Sequence, residues 1–212
     1  MSSWDSDSHE GLPYRFALPP GYDPRTRYPV VVYLHGSAER GNDGQSHLKN
    51  GVDRLLAQPL IAVAPQCPRH DTFGGSWYGG ESETQRRVVS LVRELGRRRS
   101  VDAQRVSLIG YSMGAIGAWA MIERHPELFS AAVPIAGDLH PESARSLLQF
   151  PIWAFHGADD HLVSPENTRK IAAWMAERGG AFRYTEFPGV GHDSWQGAFD
   201  TPELLPWLLS QR

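Results

Sequence analysis

The chain has 212 residues, of which 41% are hydrophobic and 21% charged, and its formal net charge at pH 7 is -3. This length suits one domain with a sizeable core, and the composition is typical of a globular protein in water. The small net charge argues against a polyanion ligand, so we expect no nucleic-acid partner.

Cysteine content and the distribution of apolar residues indicate the expected environment. Cys67 is the single cysteine, so no disulfide can form within the chain. The N-terminal segment MSSWDSDSHE lacks the basic and apolar regions of a signal peptide, and no apolar run approaches the roughly 20 residues that span a membrane. We therefore expect a cytoplasmic protein without a membrane partner, with residues 1–11 as a loose leader.

Short apolar runs alternate with helical patterns along the rest of the chain. Strands are predicted at 14–19, 28–36, 60–66, 105–110, 130–137, 151–157 and 181–189. Helices are predicted at about 84–98, 112–125, 141–149, 165–178 and 202–211. The alternation predicts an α/β fold with a mostly parallel sheet and helices on both faces. In such sheets the functional site lies beyond the carboxyl ends of the strands, so the residues directly after each strand are the candidates.

The segment VSLIGYSMGAIGAWA, residues 106–120, contains a Gly-x-Ser-x-Gly pattern between a predicted strand and a predicted helix. Glycine inside a helix costs up to about 1 kcal/mol relative to alanine, so its repeated use here needs a reason. A nucleophilic serine on a tight, strained turn needs small neighbours, because adjacent backbone must pack close to it. The pattern therefore predicts Ser112 as a nucleophile. A helix N-cap, the alternative role, would not need the flanking glycines.

A serine hydroxyl needs a general base, and His192 is the best candidate among the nine histidines. It lies in the glycine-flanked loop PGVGHDSW, between the last predicted strand and the last predicted helix. In this architecture the chain order is serine, acid, histidine. The segment WAFHGADDHLVS offers the adjacent Asp159 and Asp160, and Asp138 follows the preceding strand. Spacing alone does not choose among these three carboxylates.

Attack on a carbonyl carbon also requires N–H donors for the developing oxyanion. The backbone N–H of Met113, at the positive end of the predicted helix, is one expected donor. The second is expected from the glycine-rich loop in YLHGSAERGNDG, where Ser37 is the candidate. Trp77 and Trp195 are predicted to form an aromatic wall for an acyl or alcohol group, with packing inside their own loops as the alternative.

With these residues assembled, the chain resembles the α/β-hydrolase superfamily. It looks most like the small carboxylesterase branch, which includes feruloyl-esterase-like, phospholipase/carboxylesterase-like and predicted peptidase proteins. The blocks that carry the resemblance occur in the family's order: LPYRFALPPGYDPRTRYPVVVYLHGSAERG, VDAQRVSLIGYSMGA, PIWAFHGADDHLVS and GHDSW. The resemblance implies an α/β-hydrolase fold with a single catalytic domain over residues 12–212.

The same resemblance implies a role for each candidate residue. Ser112 corresponds to the nucleophile and His192 to the base. The pattern H-G-x-x-D-x-x-V places the acid on Asp160. Ser37 and Met113 correspond to the two oxyanion donors. No metal or organic cofactor is expected for this chemistry.

Two features narrow the resemblance further. A cysteine-nucleophile relative such as dienelactone hydrolase is disfavoured, because the central position of the elbow is Ser112 and Cys67 lies elsewhere. The connection between the predicted strands that end at Gly137 and begin at Pro151 is short, so we expect no large lid domain and an open cleft.

These observations predict a serine ester hydrolase that cleaves small to medium acyl or aryl esters through an acyl-enzyme. The expected partner is a small-molecule ester, and the sequence does not specify an oligomeric state. Two alternatives stay open: a serine peptidase or amidase that uses the same residues, and a ligand-binding protein built on a non-catalytic hydrolase scaffold.

Overall fold

The computed structural model describes residues 3–71, 82–98 and 100–212. The strands, numbered along the chain, are β1 (Asp5–His9), β2 (Leu12–Ala17), β3 (Tyr28–Leu34), β4 (Ile61–Pro65), β5 (Val101–Tyr111), β6 (Ala131–Ile135), β7 (Ile152–Gly157) and β8 (Phe182–Phe187). The helices are α1 (Glu83–Arg98), α2 (Met113–Arg124), α3 (Glu166–Glu177), α4 (Trp195–Asp200) and α5 (Leu204–Ser210). Short 3-10 turns lie at Ser37–Glu39, Val52–Ala57, Pro126–Leu128 and Ser143–Leu147.

The eight strands form one sheet in the order β1-β2-β4-β3-β5-β6-β7-β8. The β1–β2 and β2–β4 pairs at one side are antiparallel. All other neighbouring strands are parallel, from β4 through to β8. The predicted mostly parallel sheet is therefore confirmed, and its antiparallel part is confined to the N-terminal hairpin.

Helices cover both faces of this sheet, as the alternating burial in β3 shows. Val30, Val32 and Leu34 belong to one apolar cluster, which includes residues of α1, α2 and α3. Val31 and Tyr33 belong to a second cluster on the opposite face, with residues of α4, α5 and the 52–57 turn. Side chains of a strand point alternately to opposite faces, so a strand buried on both sides reads as a continuous apolar run.

The predicted strands and long helices are found close to their predicted limits. The largest difference is in β5, which begins at Val101 rather than at Arg105. The helix expected at 141–149 is instead the 3-10 turn Ser143–Leu147, the only regular element between β6 and β7. This short connection agrees with the expectation that no large lid is inserted there. No helix within the described ranges is long and apolar enough to cross a membrane.

The prediction of a loose leader over residues 1–11 is wrong for Asp5–His9, which form β1 and pair with β2. The sequence of this strand shows no apolar alternation. Pairing with β2 and polar side-chain contacts, rather than burial, hold the strand in place. The Tyr14 hydroxyl donates to Asp7 Oδ2 at 2.7 Å, and His9 Nε2 lies 2.8 Å from Ser90 Oγ. Helix α4 was also not predicted from the sequence. It is a short helix of six residues that contains Gly197.

Candidate active site

Four loops that follow parallel strands meet at one edge of the sheet. The register pairs Leu34 of β3 with Gly110 of β5, and Gly157 of β7 with Phe187 of β8. The carboxyl ends of neighbouring strands are therefore level. The loops beyond them carry the predicted residues of the site, Ser37, Ser112, Asp160 and His192.

Ser112 occupies a strained turn between β5 and α2. Its φ is 54° and its ψ is -117°, a conformation that a non-glycine residue adopts only when the surrounding structure enforces it. Its N–H donates to the carbonyl oxygen of Ile135 at 2.9 Å, which ties the turn to β6. The turn presents the Ser112 side chain at the edge of the sheet, as the sequence pattern predicted.

The glycines beside Ser112 are explained by close approaches of backbone. A Cβ on Gly110 would lie 2.2 Å from the carbonyl oxygen of Gly114. A Cβ on Gly114 would lie 1.9 Å from the carbonyl oxygen of Leu34. The first turn of α2 thus packs directly on the ends of β3 and β5, where no side-chain atom fits. The glycine pattern is a packing requirement of the turn.

Three predicted residues form one hydrogen-bonded series. His192 Nε2 lies 2.8 Å from Ser112 Oγ, and His192 Nδ1 lies 2.7 Å from Asp160 Oδ2. An ionised carboxylate only accepts hydrogen bonds, so Nδ1 carries the proton and donates to Asp160. Nε2 is then the acceptor for the Ser112 hydroxyl. This tautomer is the one in which an imidazole removes a proton from a serine.

The structure also distinguishes the three carboxylates that the sequence left open. Asp159 is exposed, and its backbone N–H donates to the carbonyl oxygen of Val190 at 2.9 Å. Asp138 lies after β6, where its Oδ2 is 3.4 Å from Asn167 Nδ2. Asp160 alone contacts His192, as the resemblance implied.

Asp160 is a fully buried carboxylate with a hydrogen-bond donor on each side. Its side chain has no exposed area, and its Oδ1 accepts the N–H groups of Leu162 and Val163, both at 2.9 Å. Burial alone would raise the pKa of Asp160. The hydrogen bonds from Val163, His192 and Leu162 outweigh burial and hold that pKa below its ordinary value. Asp160 is therefore ionised at neutral pH.

A tyrosine and a second aspartate border His192, and the sequence analysis missed both. The Tyr111 ring lies 5.4 Å from the His192 ring, and its hydroxyl donates to Asp193 Oδ1 at 3.0 Å. Burial, then the hydrogen bond to Asp193, raises the pKa of Tyr111, so the phenol keeps its proton. The sequence signal that could have found both residues is their adjacency to the site, because Tyr111 directly precedes Ser112 and Asp193 directly follows His192 in the chain.

The expected oxyanion donors lie beside the elbow. Met113 begins α2 and Ser37 begins the 3-10 turn after β3, so both N–H groups are at helix starts, where intrahelical partners are absent. Across the described ranges, neither N–H donates to another group of the chain. A Cβ on Gly36 would lie 3.3 Å from the Tyr111 ring, so the two segments are in direct contact.

Two buried histidines fasten the loop that carries Ser37. His35 Nδ1 donates to the carbonyl oxygen of Gly36 at 2.6 Å, and its Nε2 accepts the N–H of Cys67 at 2.9 Å. His47 Nε2 donates to the carbonyl oxygen of Ala64 at 3.0 Å. Burial lowers the pKa of both histidines to about 4, so both are neutral near pH 7. They link the loop after β3 to the end of β4.

The predicted aromatic wall consists of Trp77 and Trp195. Trp77 lies outside the described residues. Trp195 is the first residue of α4, is partly buried and packs against the second apolar cluster. A contact between Trp195 and substrate stays a prediction.

Within the described part of the chain, no group of three or more His, Cys, Asp or Glu residues is arranged to hold a metal ion.

Comparison with solved structures identifies the class of the fold as that of the α/β hydrolases. The whole chain superposes on a thermostable esterase with a TM-score of 0.86 and 31% identity, covering 62% of that protein. It also superposes on a mutant feruloyl esterase module from Clostridium thermocellum, complexed with sinapinate, with a TM-score of 0.71 and 18% identity, covering 88% of it. Within this class, the chain belongs to the Dienelactone hydrolase family, which it matches over residues 21–196.

Curated relatives include both peptidases and lipases. The chain is 25% identical to dipeptidyl-peptidase 5 of Porphyromonas gingivalis over 127 residues, which are 57% of this chain and 18% of that protein. It is 28% identical to triacylglycerol lipase of Pseudomonas fragi over 123 residues, 54% of this chain and 36% of the lipase. The matches thus span about a third of the lipase and less than a fifth of the peptidase. Family and fold place the chain in the Dienelactone hydrolase family, and its curated relatives include hydrolases of more than one kind.

The family match corrects one expectation. Because dienelactone hydrolase uses a cysteine nucleophile, the serine at the centre of the elbow predicted that this chain is not a relative of it. The chain nevertheless belongs to that family. The residue on the elbow is nevertheless Ser112. Cys67 is buried beyond β4, with its Sγ 3.1 Å from the carbonyl oxygen of Asp71, and burial raises its thiol pKa to about 12. A raised pKa keeps the thiol protonated, which is unsuitable for a nucleophile.

Proposed function

We propose that this hydrolase is a serine carboxylesterase that cleaves small to medium acyl or aryl esters. The observation that carries the proposal is the hydrogen-bonded series from Ser112 Oγ through His192 to the buried Asp160. The strained turn supports it as well, because φ of 54° at Ser112 has a cost that a simple helix cap would not need. The proposed partner is a small-molecule ester.

The proposed reaction has two steps. His192 Nε2 takes the hydroxyl proton as Ser112 Oγ bonds to the carbonyl carbon, and the oxyanion is held by the N–H groups of Ser37 and Met113. His192 then protonates the leaving alcohol, and the acyl-enzyme forms. In the second step, His192 deprotonates a water that attacks the acyl carbon, and the proton returns to Ser112 as the acid leaves. Asp160 stabilises the imidazolium in both steps.

We prefer an ester to a peptide substrate because the thermostable esterase, which covers the whole chain, is 31% identical to it. The dipeptidyl peptidase 4 of Porphyromonas gingivalis, which shares the fold, is 14% identical. A peptidase is the second candidate, favoured by the match to dipeptidyl-peptidase 5. That match covers 18% of the peptidase, so most of the peptidase has no counterpart in the alignment.

The test is hydrolysis of p-nitrophenyl esters of increasing acyl length, from acetate upward, alongside a dipeptide p-nitroanilide. We expect the wild-type chain to turn over short esters and Ser112→Ala to lose at least about 10⁴-fold in kcat. Ser146→Ala, which changes an exposed serine of another loop, is the matched control and should keep the wild-type rate. A fluorophosphonate should label the wild-type and control proteins and leave Ser112→Ala unlabelled.

Two results would contradict the proposal. Equal ester hydrolysis by the wild-type chain and Ser112→Ala would show that Ser112 is not the nucleophile. Faster cleavage of the anilide than of any ester, again dependent on Ser112, would favour the peptidase candidate on the same residues.

A further inference from the structure

A second histidine, which is buried, contacts the carboxylate of the proposed catalytic series, and the reaction above gives it no role. His156, at the end of β7, is 1% exposed. Its Nε2 lies 3.3 Å from Asp160 Oδ2, the same oxygen that accepts the proton of His192 Nδ1 at 2.7 Å. One carboxylate oxygen is therefore approached by two imidazole rings, one from the end of β7 and one from the loop after β8.

The surroundings of His156 determine where its proton lies. Nε2 faces two acceptors, Asp160 Oδ2 and the carbonyl oxygen of Val163 at 3.0 Å, so Nε2 carries the hydrogen. Nδ1 lies 3.4 Å from the hydroxyl of Thr168 on α3, which is able to donate to it. Burial lowers the pKa of His156, despite the opposing effects of Val163 and Asp160. His156 is thus a neutral ring with one donor.

We propose that His156 is a positioning residue for Asp160. Its Nε2–H, shared between Val163 O and Asp160 Oδ2, fixes the rotation of the carboxylate and withdraws part of its negative charge from His192. This inference rests on the proposed function, because it assigns His156 a role only if Asp160 and His192 act as acid and base.

The donor count around Asp160 supports this role. Leu162 and Val163 donate to Oδ1, and the two histidines approach Oδ2, so each oxygen has two N–H neighbours. A carboxylate offers about four acceptor positions, so the approach of His156 lies at the position that the three hydrogen bonds leave open. Removal of one donor leaves Oδ2 more basic and free to attract the His192 imidazolium more strongly. The acidic limb of the pH profile should then move to higher pH.

Other titratable groups lie near the His156–Asp160 pair, and the test must leave them unchanged. Asp138, from the loop after β6, and Glu186, on β8, both interact electrostatically with His156. Glu186 is paired with Arg169 of α3 at 2.8 Å. Tyr111, on β5, interacts with Asp160. A change at position 156 alone leaves all of them in place, so a shift of the pH profile reports the His156–Asp160 contact.

The test compares His156→Leu with His156→Gln over pH 5 to 9, as full kcat and KM profiles on p-nitrophenyl acetate at the isosbestic wavelength of p-nitrophenol. Leucine removes the donor, whereas the glutamine amide places an N–H near the position of Nε2. We expect His156→Leu to lower kcat about tenfold with little change in KM, because the Asp160 carboxylate loses the neighbour that fixes its rotation and so orients His192 less well. The acidic limb of the kcat–pH profile of His156→Leu should move to higher pH by about 0.5. His156→Gln should restore both the wild-type kcat and the wild-type position of this limb.

The outcomes separate this inference from the proposed function. A lower kcat with an unmoved acidic limb, or a glutamine variant that behaves like leucine, would overturn the positioning role. Absence of Ser112-dependent turnover in the wild-type chain would instead overturn the proposed function. Circular dichroism checks folding of each variant. If His156→Leu does not fold, His156→Asn, whose shorter amide does not reach Asp160, takes its place with the same expected shift.

Discussion

The two halves of the site are held in place by different means. The elbow half, residues 110–114 with the 35–37 loop, is positioned by backbone packed against backbone, and the acid–base half, residues 157–163 with 190–194, mainly by hydrogen bonds to side chains. Gly114 leaves no space for a methyl group, whereas Asp160 accepts three hydrogen bonds and is approached by His156 at 3.3 Å. The elbow half should therefore be sensitive to added atoms, and the acid–base half to lost donors and charge.

The division has one exception that clarifies it. A Cβ on Gly157 would lie 2.1 Å from the carbonyl oxygen of Gly191 and 2.3 Å from that of Val190. This contact joins the two loops of the acid–base half, so backbone packing sets their separation. The side chains of Asp160 and His192 then depend on hydrogen bonds for their final orientation.

The largest expected effect is loss of charge in the acid–base half. Asp160→Asn keeps the volume of the side chain, and its oxygen still accepts the N–H groups of Leu162 and Val163. The amide does not stabilise an imidazolium and favours the wrong tautomer of His192. We expect kcat to fall by about 10³ to 10⁴-fold, measured by p-nitrophenyl acetate hydrolysis, while the protein stays folded.

The neighbouring aspartate provides the control for this prediction. Asp159 is exposed and its side chain does not contact His192, so Asp159→Asn should keep a rate within about twofold of wild type. Equal losses in both variants would mean that the loop responds to any change of charge, and the special position of Asp160 would be disproved.

The second effect concerns added volume in the elbow half. Gly114→Ala places a Cβ 1.9 Å from the carbonyl oxygen of Leu34, a distance at which the backbone must shift. We expect a loss of about 3 kcal/mol or more in the free energy of unfolding, measured by urea denaturation. Gly96→Ala is the matched control, because Gly96 lies on α1 with nothing within 4 Å of its Cβ position. That change should stabilise the protein by up to about 1 kcal/mol. Similar stabilities for the two variants would contradict the packing account.

These contrasts also explain what the sequence predicted and what it did not. The elbow half was predictable, because Gly110, Ser112 and Gly114 are adjacent in the chain and their spacing reflects local packing. His192 followed from chain order and its glycine-flanked loop. Asp160 could not be separated from Asp159 by spacing, because burial and tertiary contacts distinguish them. The resemblance selected Asp160, which is the carboxylate that is hydrogen-bonded to His192 in the structure.

Contacts that depend on how loops fold were beyond the sequence. The approach of His156 to Asp160 depends on how the loop after β7 folds back, and the bond from Tyr111 to Asp193 joins the end of β5 to the loop after β8. β1 was missed for a related reason. Its residues show no apolar period, and its stability comes from pairing with β2 and from side-chain contacts such as that of Asp7.

The smallest effect tests the strain of the elbow itself. Ser112 has φ of 54°, a region that glycine enters without penalty and alanine does not. Ser112→Gly and Ser112→Ala both remove the hydroxyl and its contact with His192, so both should be inactive. They differ in the backbone, and we expect the glycine variant to be more stable than the alanine variant by about 1 kcal/mol in urea denaturation. Glycine also gives the unfolded chain more freedom, which opposes this gain. A glycine variant less stable than the alanine variant would mean that this freedom outweighs the strain, and that the elbow stores little energy at Ser112.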